Sequence, residues 1–297
     1  MKRSILLLLF LLLVLMACGK SIPEFDKNRA FSFLEDQCNL GPRYPGSDEI
    51  ELCRNYITSS LSKYGFTIEE QKFEVMIDEK EVEGVNIIAH FNPRMSRRIL
   101  LGAHYDTRPW ADKEEDETLH NTPIIGANDA GSGVAVLLEI ALIISKKEPK
   151  QFGIDFVFFD LEDMGNYGNN ESWCLGSTYF AENFSGTKPE KAIVIDMIGD
   201  ADLSINLDYY SYHNSPNLVN EVWNIAEELG FSVFKSRIQN IIYDDHYPLI
   251  KAGFNAILII DFEYPYWHTL EDTPDKCSAE SLYYVGQTVL NLIYKEE

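Results

Sequence analysis

The sequence predicts an α/β fold: a three-layer sandwich with a central mixed, mostly parallel sheet and helices on both faces. Three observations carry that expectation. Short β-rich runs of mainly apolar residues recur at 85–90, 99–103, 154–159, 192–195 and 256–260. Segments with helical apolar periodicity lie among them at 134–145 and 218–229, and a third follows at 279–294, as an alternation of strands and helices requires. Several of the runs lack a polar face, which means that helices cover the sheet from both sides.

The chain opens with MKRSILLLLFLLLVLMACGK, in which Lys2 and Arg3 precede an apolar run and the small residue Ala17 precedes Cys18. A positive end, a short hydrophobic core and a small residue at the cut predict a signal peptide over 1–17, and the run falls short of the roughly 20 residues of a membrane span. Leu15-Met16-Ala17-Cys18 is similar to a bacterial lipobox. Cys18 is therefore expected to carry lipid and 18–25 to act as a membrane tether, which places the protein in a bacterial cell envelope, lipid-anchored or periplasmic. A plain leader with an incidental cysteine is the alternative. Helical patterns follow at 23–38 and 47–64, with Ser47 placed to cap the second. No repeat, low-complexity stretch or linker divides the remainder, so 26–297 is expected to form a single domain.

The chain has 47 acidic against 25 basic residues and a formal net charge of −22. Such a charge repels nucleic acid and anionic lipid surfaces. The run DKEEDE at 112–117 reads as an exposed loop. Beyond Cys18, the cysteines are Cys38, Cys53, Cys174 and Cys277, with no Cys-x-x-Cys zinc spacing. An oxidising envelope would permit disulfides, and Cys38–Cys53 is a candidate staple between the two N-terminal helices.

In open α/β sheets, ligands bind beyond the carboxyl ends of the strands. After ILLGA come His104, Tyr105 and Asp106, and GANDAGSG at 126–133 carries Asp129 into a helix. After FVFF come Asp160, Glu162 and Asp163, and after AIVI comes Asp196. Asp244, Asp245 and His246 precede the last apolar run, and Trp267 and His268 follow it. Singly, each has an ordinary explanation, since an aspartate at a strand end commonly caps the next helix. Six such sites on one sheet edge are different, because so many carboxylates in a small volume call for a divalent cation. Oxygen and nitrogen donors without cysteine suit a catalytic zinc with one open position. No Gly-Lys-Ser/Thr follows GANDAGSG, which speaks against phosphate binding, and no Gly-x-Ser-x-Gly elbow suggests a serine hydrolase.

The succession HYD, NDAGSG, FFDLED, DMIG, DDH and WHT, with GPRYPGS at 41–47 and NIIAHF at 86–91, resembles the zinc-dependent glutaminyl cyclases of animal type. These glutaminyl-peptide cyclotransferases share a fold with the co-catalytic zinc aminopeptidases. The resemblance spans about residues 30–293 and implies a zinc exopeptidase-like sandwich and a zinc-dependent catalytic domain. One Zn2+ would be held by Asp129, Asp163 and His268. Glu162 would be the general acid/base, Asp244 and its partner Asp196 would serve the leaving amide, and Trp267 would form an aromatic wall of the substrate pocket. Asp163 stands where the family often has Glu, so its backbone must come closer to the metal. Residues 164–172 do not align with the family, which leaves some pocket aromatics unplaced.

An aminopeptidase of this fold would add a second zinc on His104 and Asp196, bridged by Asp129. Cyclases retain those residues too, so the discriminating position is Asp244, where the related aminopeptidases usually have a small residue such as Ser. The resemblance thus implies conversion of N-terminal glutamine of peptides or exported proteins to pyroglutamate, with release of ammonia. A zinc aminopeptidase is the alternative, and a non-catalytic binding lipoprotein the remote one. Asp245 and His246 are expected to brace their turn.

Overall fold

The computed structural model describes residues 22–77 and 79–295; the expected signal peptide and Cys18 lie outside them. Two helices, α1 (Lys27–Cys38) and α2 (Asp48–Lys63), come first. Asp26 caps α1 by accepting from Arg29 N, and Ser47 caps α2 by accepting from Ile50 N, so each satisfies an amide that its helix leaves free. A hairpin of β1 (Thr67–Ile77) and β2 (Lys80–Phe91) follows, then β3 (Arg98–His104), α3 (Gly131–Lys146), β4 (Gly153–Phe159), α4 (Leu175–Glu182) and β5 (Lys191–Asp196). The chain continues through β6 (Ile205–Asp208), α5 (Tyr209–Asn214), α6 (Pro216–Glu228), β7 (Phe234–Asn240), α7 (His246–Lys251), β8 (Ala256–Ile260) and α8 (Ala279–Tyr294).

The main sheet has the order β1-β2-β4-β3-β5-β8. Its four strands β4, β3, β5 and β8 are parallel, and the β1–β2 hairpin joins them antiparallel through β4. This is the expected mixed sheet. Along β8, Ile257 and Ile259 join one core, while Leu258 and Ile260 join the other; a strand apolar on both faces still divides its side chains two ways. The first core packs α1, α2, α3, α6 and α8 on one face, and the second packs α4 and α7 on the other. Three layers result.

Three sequence expectations need adjustment. Phe25, at the end of the expected tether, is buried and packs against Gly286 of α8. Cys38 and Cys53 do not pair; both are buried free thiols, and burial pushes each up to about 11. Asp244 and Asp245 are not at the end of a strand but precede α7, which then turns at Gly253 into β8. Among the described residues, no helix is long and apolar enough to cross a membrane.

Candidate active site

The parallel strands deliver the polar residues to one edge. His104 ends β3, Glu162 and Asp163 follow β4, Asp196 ends β5, and His268 lies in the turns after β8. Asp129 precedes α3 and Asp244 precedes α7. All seven are buried.

Two further buried carboxylates set the loops that carry them. Asp106 accepts from the amides of Glu162 and Asp163 at 3.2 and 3.1 Å. Asp272 accepts from the amides of Asn128 and Asp129 at 2.8 and 3.1 Å. Each clamps two consecutive N–H groups that burial would otherwise leave unsatisfied. Arg43, from GPRYPGS, is buried and donates to the carbonyls of Ile125 and Gly126 at 2.9 and 2.8 Å. Gly126 has φ 63°, and a Cβ there would meet the Asp129 carbonyl at 2.3 Å, so this turn tolerates only glycine. The Asp129–Ala130 peptide is cis. Leu161, Met197 and His268 all have positive φ (58°, 44° and 57°). Non-glycine residues in that region are held there by their surroundings, and they gather at functional sites.

Two ligand groups share Asp129. In one, Asp129, Asp163 and His268 bring donor atoms within 4.8 Å of one another; in the other, His104, Asp129 and Asp196 do the same. His268 Nε2 is 3.0 Å from Asp163 Oδ1 and 3.5 Å from Asp129 Oδ2. His104 Nε2 is 3.1 Å from Asp129 Oδ1 and 3.2 Å from Asp196 Oδ1. Among the described residues, the buried Asp163 Oδ2 has no hydrogen-bond partner. Two carboxylates and an imidazole, converging with an unsatisfied oxygen, fit a divalent metal with nitrogen and oxygen preference. The shorter arm of Asp163 does reach this group.

The buried groups of the cluster shift one another. Burial opposes charging His268, yet Asp163, Asp112 and Asp129 raise it to about 9. Burial pushes Glu162 well above the usual carboxylate range, with Asp163, Asp245 and Asp244 adding to it and His104 opposing. Asp244 is likewise pushed well up, by burial and then by Asp196 and Asp245. A dication in the site reverses much of this, since it favours ionised neighbours.

A cavity of about 170 Å³ opens over Asp129, Glu162, Asp163 and Asp244. Trp267 stands on its wall with Tyr167, Phe262 and Ile241. His246 lies outside the cavity lining; its Nε2 bonds Asp208 Oδ2 at 2.9 Å and ties α7 to β6. Asp245 is fully buried, and its carboxyl is pushed up to about 7, mainly by burial.

Residues 86–293 match peptidase family M28. The chain belongs to that family. Among solved structures, it is similar to Bacteroides thetaiotaomicron glutaminyl cyclase bound to N-acetylhistamine, with a TM-score of 0.90 and 36% identity over 93% of this chain and 100% of that one. A leucine aminopeptidase precursor from the same organism gives a TM-score of 0.90 and 36% identity, covering 93% and 99% of the two chains. The glutaminyl-peptide cyclotransferase of Boiga dendrophila is 24% identical, over 81% of this chain and 73% of its own length. M28 membership and these relatives mark the chain as an enzyme of the zinc exopeptidase-like fold.

Several site residues escaped the sequence reading. Asp112, at the start of the acidic run, is not an exposed loop residue: it is half-buried and faces His268. Arg108 donates to the carbonyls of Asp163 and Gly165 at 2.7 and 3.0 Å while also pairing with Asp112. Tyr167 falls in the stretch that did not align, and its hydroxyl lies 2.9 Å from His268 Nδ1. Asp272 carried no sequence signal beyond its acidity.

Proposed function

We propose that this M28 member is a zinc-dependent glutaminyl cyclase acting on peptides or exported proteins that begin with glutamine. The observation that carries this reading is Asp244, a buried carboxyl in the cavity lining beside Glu162, where the expected aminopeptidase pattern has a small residue. Asp129, Asp163 and His268 would hold a single zinc, which supplies Lewis-acid polarisation of the substrate's γ-carbonyl.

The chain's own residues handle protons and orientation. Cyclisation forms a bond between the α-nitrogen and the side-chain carboxamide carbon (Cδ) and breaks the bond from that carbon to the amide nitrogen. Glu162 takes the proton that the α-amine releases and returns it to the departing nitrogen, which leaves as ammonia. Asp244, in the cavity lining with Asp196, is placed to orient the leaving amide. Trp267, Tyr167 and Phe262 wall the cavity that would take the glutamine side chain.

The second ligand group, His104 with Asp129 and Asp196, favours the alternative, a two-zinc aminopeptidase. Mixing a glutamine-initiated and a leucine-initiated peptide with the zinc-loaded protein separates the two. Ammonia release with one zinc per chain supports the cyclase; free leucine with two zincs supports the aminopeptidase. Lipid attachment at Cys18, and so location on the envelope, belongs to the same proposal; fatty-acid labelling that persists in Cys18→Ala would refute it.

A further inference from the structure

Cys174 occupies the N-cap of α4 with φ 55°. That conformation favours Gly or Asn, and an N-cap favours Ser, Thr, Asp or Asn. Cysteine suits neither role, and its side chain makes no capping bond to the helix. The thiol points elsewhere: Sγ donates to Glu162 Oε1 at 3.2 Å, with both residues buried. Among the described residues, this is the only side-chain hydrogen bond to the Glu162 carboxyl. The backbone enforces the meeting. Cys174, Leu175 and Gly176 donate in turn to the carbonyls of Glu162, Leu161 and Asp160, each at 3.1 Å. A Cβ on Gly176 would lie 2.2 Å from the Asp160 carbonyl, so glycine is what lets the two segments close.

We infer that Cys174 is a positioning residue for Glu162, its thiol fixing one carboxyl oxygen so that the other faces the substrate cavity. The inference rests on the cyclase reading for what Glu162 does, though not for the contact itself. A thiol suits the task because S–H is a weak donor: it orients the carboxylate without drawing away the basicity that proton transfer needs. Burial, followed by the charge of Glu162, pushes the thiol well above its usual range, so it remains a donor.

The test compares Cys174→Ala and Cys174→Ser in the zinc-loaded full chain. Alanine should lower kcat about ten- to a hundredfold, up to the scale of a misplaced reacting group, with KM, zinc content and Tm near those of the parent. Serine, which keeps a donor, should restore most of the rate. Parent-like kcat in Cys174→Ala overturns the inference, as does a loss that follows Tm or zinc and that serine fails to rescue. The infrared S–H band of Cys174, isolated as parent minus Cys174→Ser, reads the contact without turnover. It should move when Glu162 is changed to Ala; an unmoved band overturns the inference. If the parent releases no ammonia from a glutamine peptide, the cyclase reading falls. The S–H band, and the same kcat comparison on whatever Glu162-dependent reaction remains, still decide the role of Cys174.

Discussion

Asp112 Oδ1 lies 3.4 Å from Nδ1 of His268, behind the ring whose Nε2 faces Asp163. Burial opposes its charge, yet the nearby His268 ring and the Arg108 guanidinium hold its carboxyl well below the usual range. A carboxylate on the far nitrogen orients a ligating imidazole and raises its basicity. Asp112→Ala should therefore weaken zinc binding about 10–100-fold with the fold intact. Competition with a coloured chelator measures it, and parent-like affinity would assign the task to Tyr167 alone.

If Glu162 carries both proposed proton transfers, Glu162→Gln should keep the zinc and lose about two orders of magnitude in kcat. A near-normal rate at neutral pH would move the proton shuttle to another group, Asp244 first.

Chelator-treated protein should lose stability as pH rises. Burial is the main cause that pushes Asp160 and Asp245 up to about 7 and Asp261 to about 6, against about 3.9 in an unfolded chain. Over that interval the folded form holds protons that the unfolded form has released, so their stabilisation is complete below about pH 4 and gone above about pH 7. Asp208 acts oppositely: despite burial, His246 lowers its carboxyl, and that contribution fades only in stronger acid. The Tm should fall by several degrees between about pH 5 and pH 8. A rising Tm over this range contradicts the assignment.

The parallel strands were legible because burial on both faces leaves a run of apolar residues that few other structures need. His104, Glu162, Asp163, Asp196 and His268 were legible for the same reason, since they end or follow those runs; Asp129 stood out in the glycine-rich run that opens a helix, and Asp244 in the acidic pair before the last apolar run. The edge strand β1 was missed: TIEEQKFEVMI is mostly exposed and hides its alternation among charges. The helices α4 and α7, of 8 and 6 residues, are too short to show a period. Asp112 and Asp272 were illegible as site residues because only the fold brings them to His268 and Asp129. Cys174 was read for disulfide pairing, whereas its partner is a carboxyl 12 residues earlier.

The account turns on Asp244, and Asp244→Ser tests it most directly, because that change writes the aminopeptidase pattern into this cavity. The measurement is kcat for ammonia release from a glutamine-initiated peptide, with zinc content and Tm confirming an intact fold. Loss of about two orders of magnitude or more, with the zinc retained, is the predicted result. A Ser variant that cyclises glutamine as fast as the parent would contradict the claim that Asp244 commits the site to cyclisation.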